Sequence, residues 1–182
     1  TFVIWDKNKQ ELFGARDHFG IKPFYYAKMN GTFMYASEIK SLLRHPDFVK
    51  ELNAEALKPY MTFQYPAIGE TFLSKGVYKL PEGHYFTYRD GKMDIHRYYD
   101  EDFREGKQKL GELVNSIDQT VCDSVKAHQI ADVEVGSFLS SGVDSSYVAA
   151  VARPQHTYSI GFGKGTYNES QQAGELAELL KL

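Results

Sequence analysis

Twenty-one of the 26 aromatic residues in this 182-residue chain fall within its first 103 positions; the rest of the chain holds only Phe138, Tyr147, Tyr158, Phe162 and Tyr167. Aromatic rings favour pleated, half-buried surfaces, so the imbalance predicts a sheet-rich first region and a second region built differently. The charged stretch 100–109 (DEDFREGKQK) lies at the junction and reads as a linker. Two domains are expected, residues 1–103 and 104–182, with α+β followed by α/β as the fold class.

Local signals agree with that division. Asn30-Gly31 joins the strand-like Tyr25–Ala27 to Phe33–Tyr35, and Asp90-Gly91 joins Tyr85-Phe86 to Ile95. Such dipeptides supply the positive backbone angles of two-residue hairpin turns, so antiparallel strands are expected. Two short helices fit between them: one over Ser37–Leu43, ended by Pro46, the other over Ala54–Thr62, capped by Asn53. In the second region Leu110, Leu113, Val114, Ile117, Val121 and Val125 recur at helical spacing and predict a helix of about five turns. Then follow a strand over Val133–Leu139, a helix over Ser145–Arg153 stopped by Pro154, a strand over Thr157–Phe162, and a helix over Ser170–Leu182. Strand, helix, strand, helix implies a parallel sheet.

Composition narrows the function. With 42% hydrophobic and 25% charged residues the chain reads as globular. A net charge of −3 leaves no electrostatic footprint for nucleic acid or a membrane surface. The longest apolar run, Tyr147–Ala152, is far short of the roughly 20 residues that span a bilayer. A single cysteine, Cys122, excludes an internal disulfide and a four-cysteine zinc site, and a reducing cytoplasm is the default compartment. Thr1 opens an apolar, strand-like run with no initiator methionine, which reads as an excerpt of a longer chain.

The chemistry concentrates in Ser140-Ser141-Gly142-Val143-Asp144-Ser145-Ser146, a turn of small residues between a strand and a helix. Free N–H groups and the helix dipole at such a turn attract an anion, and Ser140, Ser145 and Ser146 add hydroxyls. Asp144 would repel a phosphate unless a cation lay between them, so the set predicts a nucleotide with magnesium (Mg2+). A Walker loop is ruled out, because no lysine occurs between Lys126 and Lys164. A serine-rich helix start with no ligand would use the same residue types; the neighbouring segments argue for more.

Those segments run in a characteristic order: ARDHFGIKPFYY (15–26), YASEIKSLL (35–43), LPEGHYFTY (80–88), IHRYYD (95–100), VGSFLSSGVDSS (135–146), YSIGF (158–162) and YNES (167–170). The 140–146 turn resembles the SGGxDS pyrophosphate loop (PP-loop) of ATP pyrophosphatases. The whole series resembles the glutamine-hydrolysing asparagine synthetases of the bacterial AsnB type and covers essentially the entire chain.

The resemblance implies the closing part of an N-terminal-nucleophile (αββα) glutaminase sandwich in residues 1–103. It implies the opening part of a parallel-sheet, adenine nucleotide α-hydrolase-like ATP-pyrophosphatase domain in 104–182. It further implies a carbon–nitrogen ligase that takes its amide nitrogen from glutamine. ATP adenylates aspartate, ammonia displaces AMP, and pyrophosphate is released. Ser140, Ser141, Gly142, Val143, Asp144, Ser145 and Ser146 would hold the phosphates, Asp144 would hold magnesium, and Leu139 and Ile160 would cradle the adenosine. Aspartate, glutamine and ATP are the partners implied, and a homodimer is compatible.

One residue departs from the loop pattern: Ser141 stands where the first of two glycines is usual, which would cost something if that position needed positive φ. The family's glutaminase nucleophile is an N-terminal cysteine. Thr1 does not correspond to it, and Cys122 sits within the amphipathic helix beside Val121, where a small half-buried thiol is expected. No glutaminase catalytic residue is therefore assigned. Arg16-Asp17-His18 reads as a framework element, Glu38 as a helix-start residue, and Glu169 as a residue near the ATP site. The six histidines show no metal-ligand spacing. Two other functions satisfy the same residues: a related amidotransferase-synthetase acting on another carboxylate, and a catalytically inactive regulatory module of the same fold.

Overall fold

The alternation of the first region becomes two antiparallel sheets in the computed structural model of the protein, which describes residues 1–65, 71, 74–161 and 169–182. The chain divides into two compact units, Thr1–Phe103 and Arg104–Leu182.

In the first unit, β1 (Phe2–Asp6), β2 (Glu11–Ala15), β6 (His84–Arg89) and β7 (Lys92–Arg97) form a four-stranded sheet in the order β1-β2-β6-β7. A second sheet has the order β4-β3-β5, from β3 (Tyr25–Met29), β4 (Thr32–Ala36) and β5 (Val77–Lys79). Both expected hairpins form, with φ of 49° and 81° at Asn30 and Gly31 and of 49° and 74° at Asp90 and Gly91, the two positive values such turns require.

Period two decides what each strand face buries. Ala27 and Met29 of β3 join Met34, Leu42, Phe48 and Val77 in one core. Tyr26, on the opposite face, packs with Phe33 and Tyr88 against a second core of Phe24, Leu80 and Phe86. Phe33 of one sheet stacks on Tyr88 of the other at 4.2 Å between centroids, so the two sheets meet through aromatic rings. This accounts for the aromatic excess of the first region: rings fill a layer between two pleated surfaces.

Between the strands lie α1 (Ile39–Leu42), shorter than the expected Ser37–Leu43, and α2 (Ala54–Phe63). The side chain of Asn53 accepts from the Ala56 N–H at 3.3 Å, as its capping role requires, and α2 closes on Gln64 in the left-handed region. Arg16-Asp17 is a framework element, as its sequence suggested. Arg16, 3% exposed, donates to the carbonyls of Lys22 at 2.9 Å, Leu80 at 2.6 Å and Gly20 at 2.6 Å. The Asp17 carboxylate accepts from the N–H groups of Ile21 and Lys22, which together close the 17–22 loop.

The second unit contains α3 (Leu110–His128), β8 (Ser137–Phe138), α4 (Val143–Ala152), β9 (Thr157–Tyr158) and α5 (Ser170–Leu180). β8 and β9 are parallel, as strand-helix-strand connectivity demands. Leu139, Ala149 and Ala173 form their core, with Leu176, Ala177 and Leu182 packed against it.

Three local expectations need correction. The strand read over Val133–Leu139 is two residues long, because a strand exists only where a neighbour completes its ladder, and Val133 is 77% exposed. The strand read to Phe162 ends at Tyr158, Phe162 itself lying outside the described residues. The helix read from Ser145 begins at Val143, since Gly142 is already the extended N-cap. The stripe of α3 is helical as expected, but none of its residues is buried. Among the described residues no helix is long and apolar enough to cross a membrane.

Candidate functional site

Every feature of the candidate site follows from where β8 and β9 stop. The Leu139 N–H donates to the Tyr158 carbonyl at 2.8 Å, the last rung of the parallel pair, after which both chains turn away. A cavity of about 350 Å³ opens there, lined among others by Leu139, Ser140, Ser145, Ser159, Ile160 and Glu169. It lies at the carboxyl ends of parallel strands, the place where open α/β sheets bind ligands.

The polar side of this cavity is a knot of serine hydroxyls. The oxygens of Ser140 and Ser145 are 2.7 Å apart. Ser145 Oγ accepts from the Ser140 N–H at 3.2 Å, and Ser140 Oγ accepts from the Gly142 N–H at the same distance. These contacts hold the turn, and no side chain caps the first turn of α4. The hydroxyls of Ser145 and Ser146 both lie within hydrogen-bond distance of the Gly142 carbonyl, at 3.1 Å and 2.7 Å, and Ser146 donates to it alone.

Ser141 causes no backbone strain, since it is not among the residues with positive φ. The concern raised by its replacing a glycine is therefore removed. Gly142 is the tighter position: a Cβ there would lie 3.3 Å from Ser140 Oγ, crowding the knot. The Ser141 N–H is engaged by Glu169, whose Oε2 accepts from it at 3.2 Å.

Leu139, Ser140, Ser145 and Ile160 of the sequence-derived set line the same cavity, whereas Ser141, Gly142, Val143, Asp144 and Ser146 surround the turn outside that lining. Leu139 is buried and Ile160 is 68% exposed, so the apolar wall is firm on one side and open on the other. Asp144, in the first turn of α4, is exposed. Among the described residues no three His, Cys, Asp or Glu side chains gather to hold a metal. Asp144 is one exposed carboxylate on this turn, a donor of the type magnesium takes when phosphate oxygens and water complete its shell.

Ser159 was missed by the sequence reading. Its hydroxyl donates to the Leu139 carbonyl at 2.7 Å and it lines the cavity. Its place one residue beyond β9, at a strand's carboxyl end, was the available signal. Of the YNES segment, Tyr167 and Asn168 lie outside the described residues, while Glu169 and Ser170 lie within them.

Comparison with known proteins gives the class first: the family model for the glutamine amidotransferase domain matches residues 1–99, and that for asparagine synthase matches residues 116–182. The chain is 40% identical to asparagine synthetase (glutamine-hydrolyzing) 1 of Bacillus subtilis, over 99% of this chain and 29% of that protein. It is 31% identical to asparagine synthetase (glutamine-hydrolyzing) 3 of the same organism, over 89% of this chain and 28% of that protein. A putative asparagine synthetase (glutamine-hydrolyzing) 2 of Methanocaldococcus jannaschii is 33% identical over 93% of this chain and 35% of that protein. The chain belongs to the family of glutamine-hydrolysing asparagine synthetases. It spans about a third of the length of these relatives or less.

Proposed function

We propose that the protein of which these 182 residues form part makes asparagine from aspartate, with ATP as the activating agent and glutamine as the nitrogen source. Residues 1–103 would then be the closing part of an N-terminal-nucleophile glutaminase, and 104–182 the opening part of an ATP-pyrophosphatase-type synthetase. The reading rests chiefly on one observation: Ser140 and Ser145 of the serine turn and the apolar Leu139 and Ile160 line a single cavity at the carboxyl ends of two parallel strands. Such a cavity offers serine hydroxyls to a polyphosphate beside an apolar surface suited to a nucleoside.

The chemistry requires activation because a carboxylate repels nucleophiles and has no adequate leaving group. In the proposed reaction an oxygen of the aspartate side-chain carboxylate attacks the α-phosphorus of ATP. The bond from that phosphorus to the bridging oxygen breaks, and pyrophosphate departs. Ammonia then attacks the acyl carbon of β-aspartyl-AMP, AMP leaves with the bonding pair, and the nitrogen loses a proton. The Ser140–Ser146 turn, with its amides and α4 dipole, would bind and orient the departing pyrophosphate. Asp144 would hold magnesium, which supplies charge neutralisation on the phosphate oxygens when bound.

The test is aspartate-dependent release of pyrophosphate from ATP by the full-length protein. Asp144→Ala should slow it by about a hundredfold or more. Absence of aspartate-dependent release would overturn the synthetase reading, and an unchanged rate in Asp144→Ala would overturn the role of that carboxylate.

A further inference from the structure

Ser141 lies in a turn whose amides suit an anion, and its N–H already has one: Glu169 Oε2 accepts from it at 3.2 Å across 28 residues of sequence. Glu169 precedes the first residue of α5, and its side chain also lines the cavity beside Ser140 and Ser145. Its carboxylate thus reaches across the cavity mouth from one helix start to the turn that precedes another. A carboxylate oxygen and a phosphate oxygen demand the same thing of an N–H, a short linear hydrogen bond to negative charge, and one N–H serves only one of them well.

We propose that Glu169 is a built-in stand-in for a phosphate, occupying the Ser141 amide until a polyphosphate displaces it. The inference rests on the reading of this turn as a pyrophosphate site and deepens it. Two consequences follow from the geometry. With the site empty, the carboxylate satisfies the exposed amide and keeps the turn in its binding conformation. With a polyphosphate entering, the acid must give up that bond and tolerate the new charge, so binding is weakened by competition. An anion that makes too few contacts to outweigh the exchange, such as a single phosphate, is rejected in favour of a longer one.

The two components, occupation of the amide and plain charge repulsion, separate by substitution. Glu169→Ala removes both. Glu169→Gln removes the charge and keeps an acceptor of the same reach. Glu169→Asp keeps the charge and withdraws it by one methylene, out of contact with Ser141. The experiment is titration calorimetry of inorganic pyrophosphate into the full-length protein and these variants, at fixed magnesium concentration and ionic strength, each variant first checked for wild-type circular dichroism. Glu169→Ala is expected to tighten pyrophosphate binding about five- to tenfold, the range for one exposed charge-assisted hydrogen bond. Glu169→Asp should recover a clear part of that gain, and monophosphate should gain more than pyrophosphate in relative terms.

Unchanged or weaker binding in Glu169→Ala overturns the inference while leaving the nucleotide site intact. Full gain in Glu169→Gln with none in Glu169→Asp also overturns it, because simple repulsion then suffices. If none of the proteins binds pyrophosphate with magnesium, the pyrophosphate site itself falls and the inference with it, whether or not ATP binds.

Discussion

Gly14 and Phe86 face each other across the β2–β6 ladder so closely that a Cβ on Gly14 would lie 2.3 Å from the Cε1 atom of Phe86. Phe86 is fully buried and belongs to the core between the two sheets, so its ring has nowhere to retreat. The glycine is there because the ring lies over its Cα, and no turn is involved. Gly14→Ala should therefore destabilise the first unit by about 1–3 kcal/mol through overpacking. Urea unfolding followed by near-ultraviolet circular dichroism checks it, and Phe86→Leu in the Gly14→Ala background should recover part of the loss.

Arg16 bonds three carbonyls from a buried position, its planar guanidinium spanning all three. Arg16→Met would leave the carbonyls of Leu80 and Gly20 unmatched and that of Lys22 with only the Thr1 hydroxyl, and should cost about 3 kcal/mol or more. Arg16→Lys should restore less than half, because one ammonium cannot span three acceptors fixed around a planar guanidinium. Denaturation midpoints of the three proteins decide the matter.

Asp17 is held below the usual carboxylate range, first by the hydrogen bond from the Lys22 N–H and also by that from Ile21. A depressed folded pKa gives stability that is present above the ordinary value of 3.8 and lost as pH falls through the folded value. The stability difference between wild type and Asp17→Asn should accordingly narrow as pH is lowered below about 3.8. A constant difference down to strong acid would contradict this account.

Tyr147 on α4 donates a short hydrogen bond to Asp118 on α3, and that bond pushes the phenol pKa up to about 12. Because the folded value is raised, the stabilisation is complete below the ordinary value of 10.0 and is lost as pH rises toward 12. Asp118→Asn should return the phenol toward its ordinary value, read as tyrosinate absorbance against a Tyr147→Phe control. An unaltered titration curve would show that the carboxylate is not the cause.

Ser141→Gly should change folding stability by about 1 kcal/mol or less, and in the destabilising direction, because Ser141 has no positive φ to relieve and glycine adds only unfolded-state entropy. A marked stabilisation would mean that the serine is strained after all. Thermal unfolding distinguishes the two.

Much of this was legible in local sequence. Asn30-Gly31 and Asp90-Gly91 specify turns by their own backbone preferences, Asn53 caps by its own side chain, and the spacing from Leu110 onward is helical whatever surrounds it. Small residues between an apolar strand and a helix likewise pointed to the Ser140–Ser146 turn. Strand extent was less legible, because Val133–Val135 have strand composition and no ladder partner among the described residues.

What the sequence by itself determined is therefore the set of short-range choices: where the chain turns, which segments are helical, and which residues offer donors to an anion. Tertiary structure alone decided which distant groups meet. Phe86 lies over Gly14 from 72 positions away, Arg16 reaches the Leu80 carbonyl, and Glu169 reaches the Ser141 amide. Those pairings depend on register and on how strands and helices pack. A hydrogen bond or ring contact between residues far apart in the chain leaves no periodicity, so only the folded arrangement reveals it.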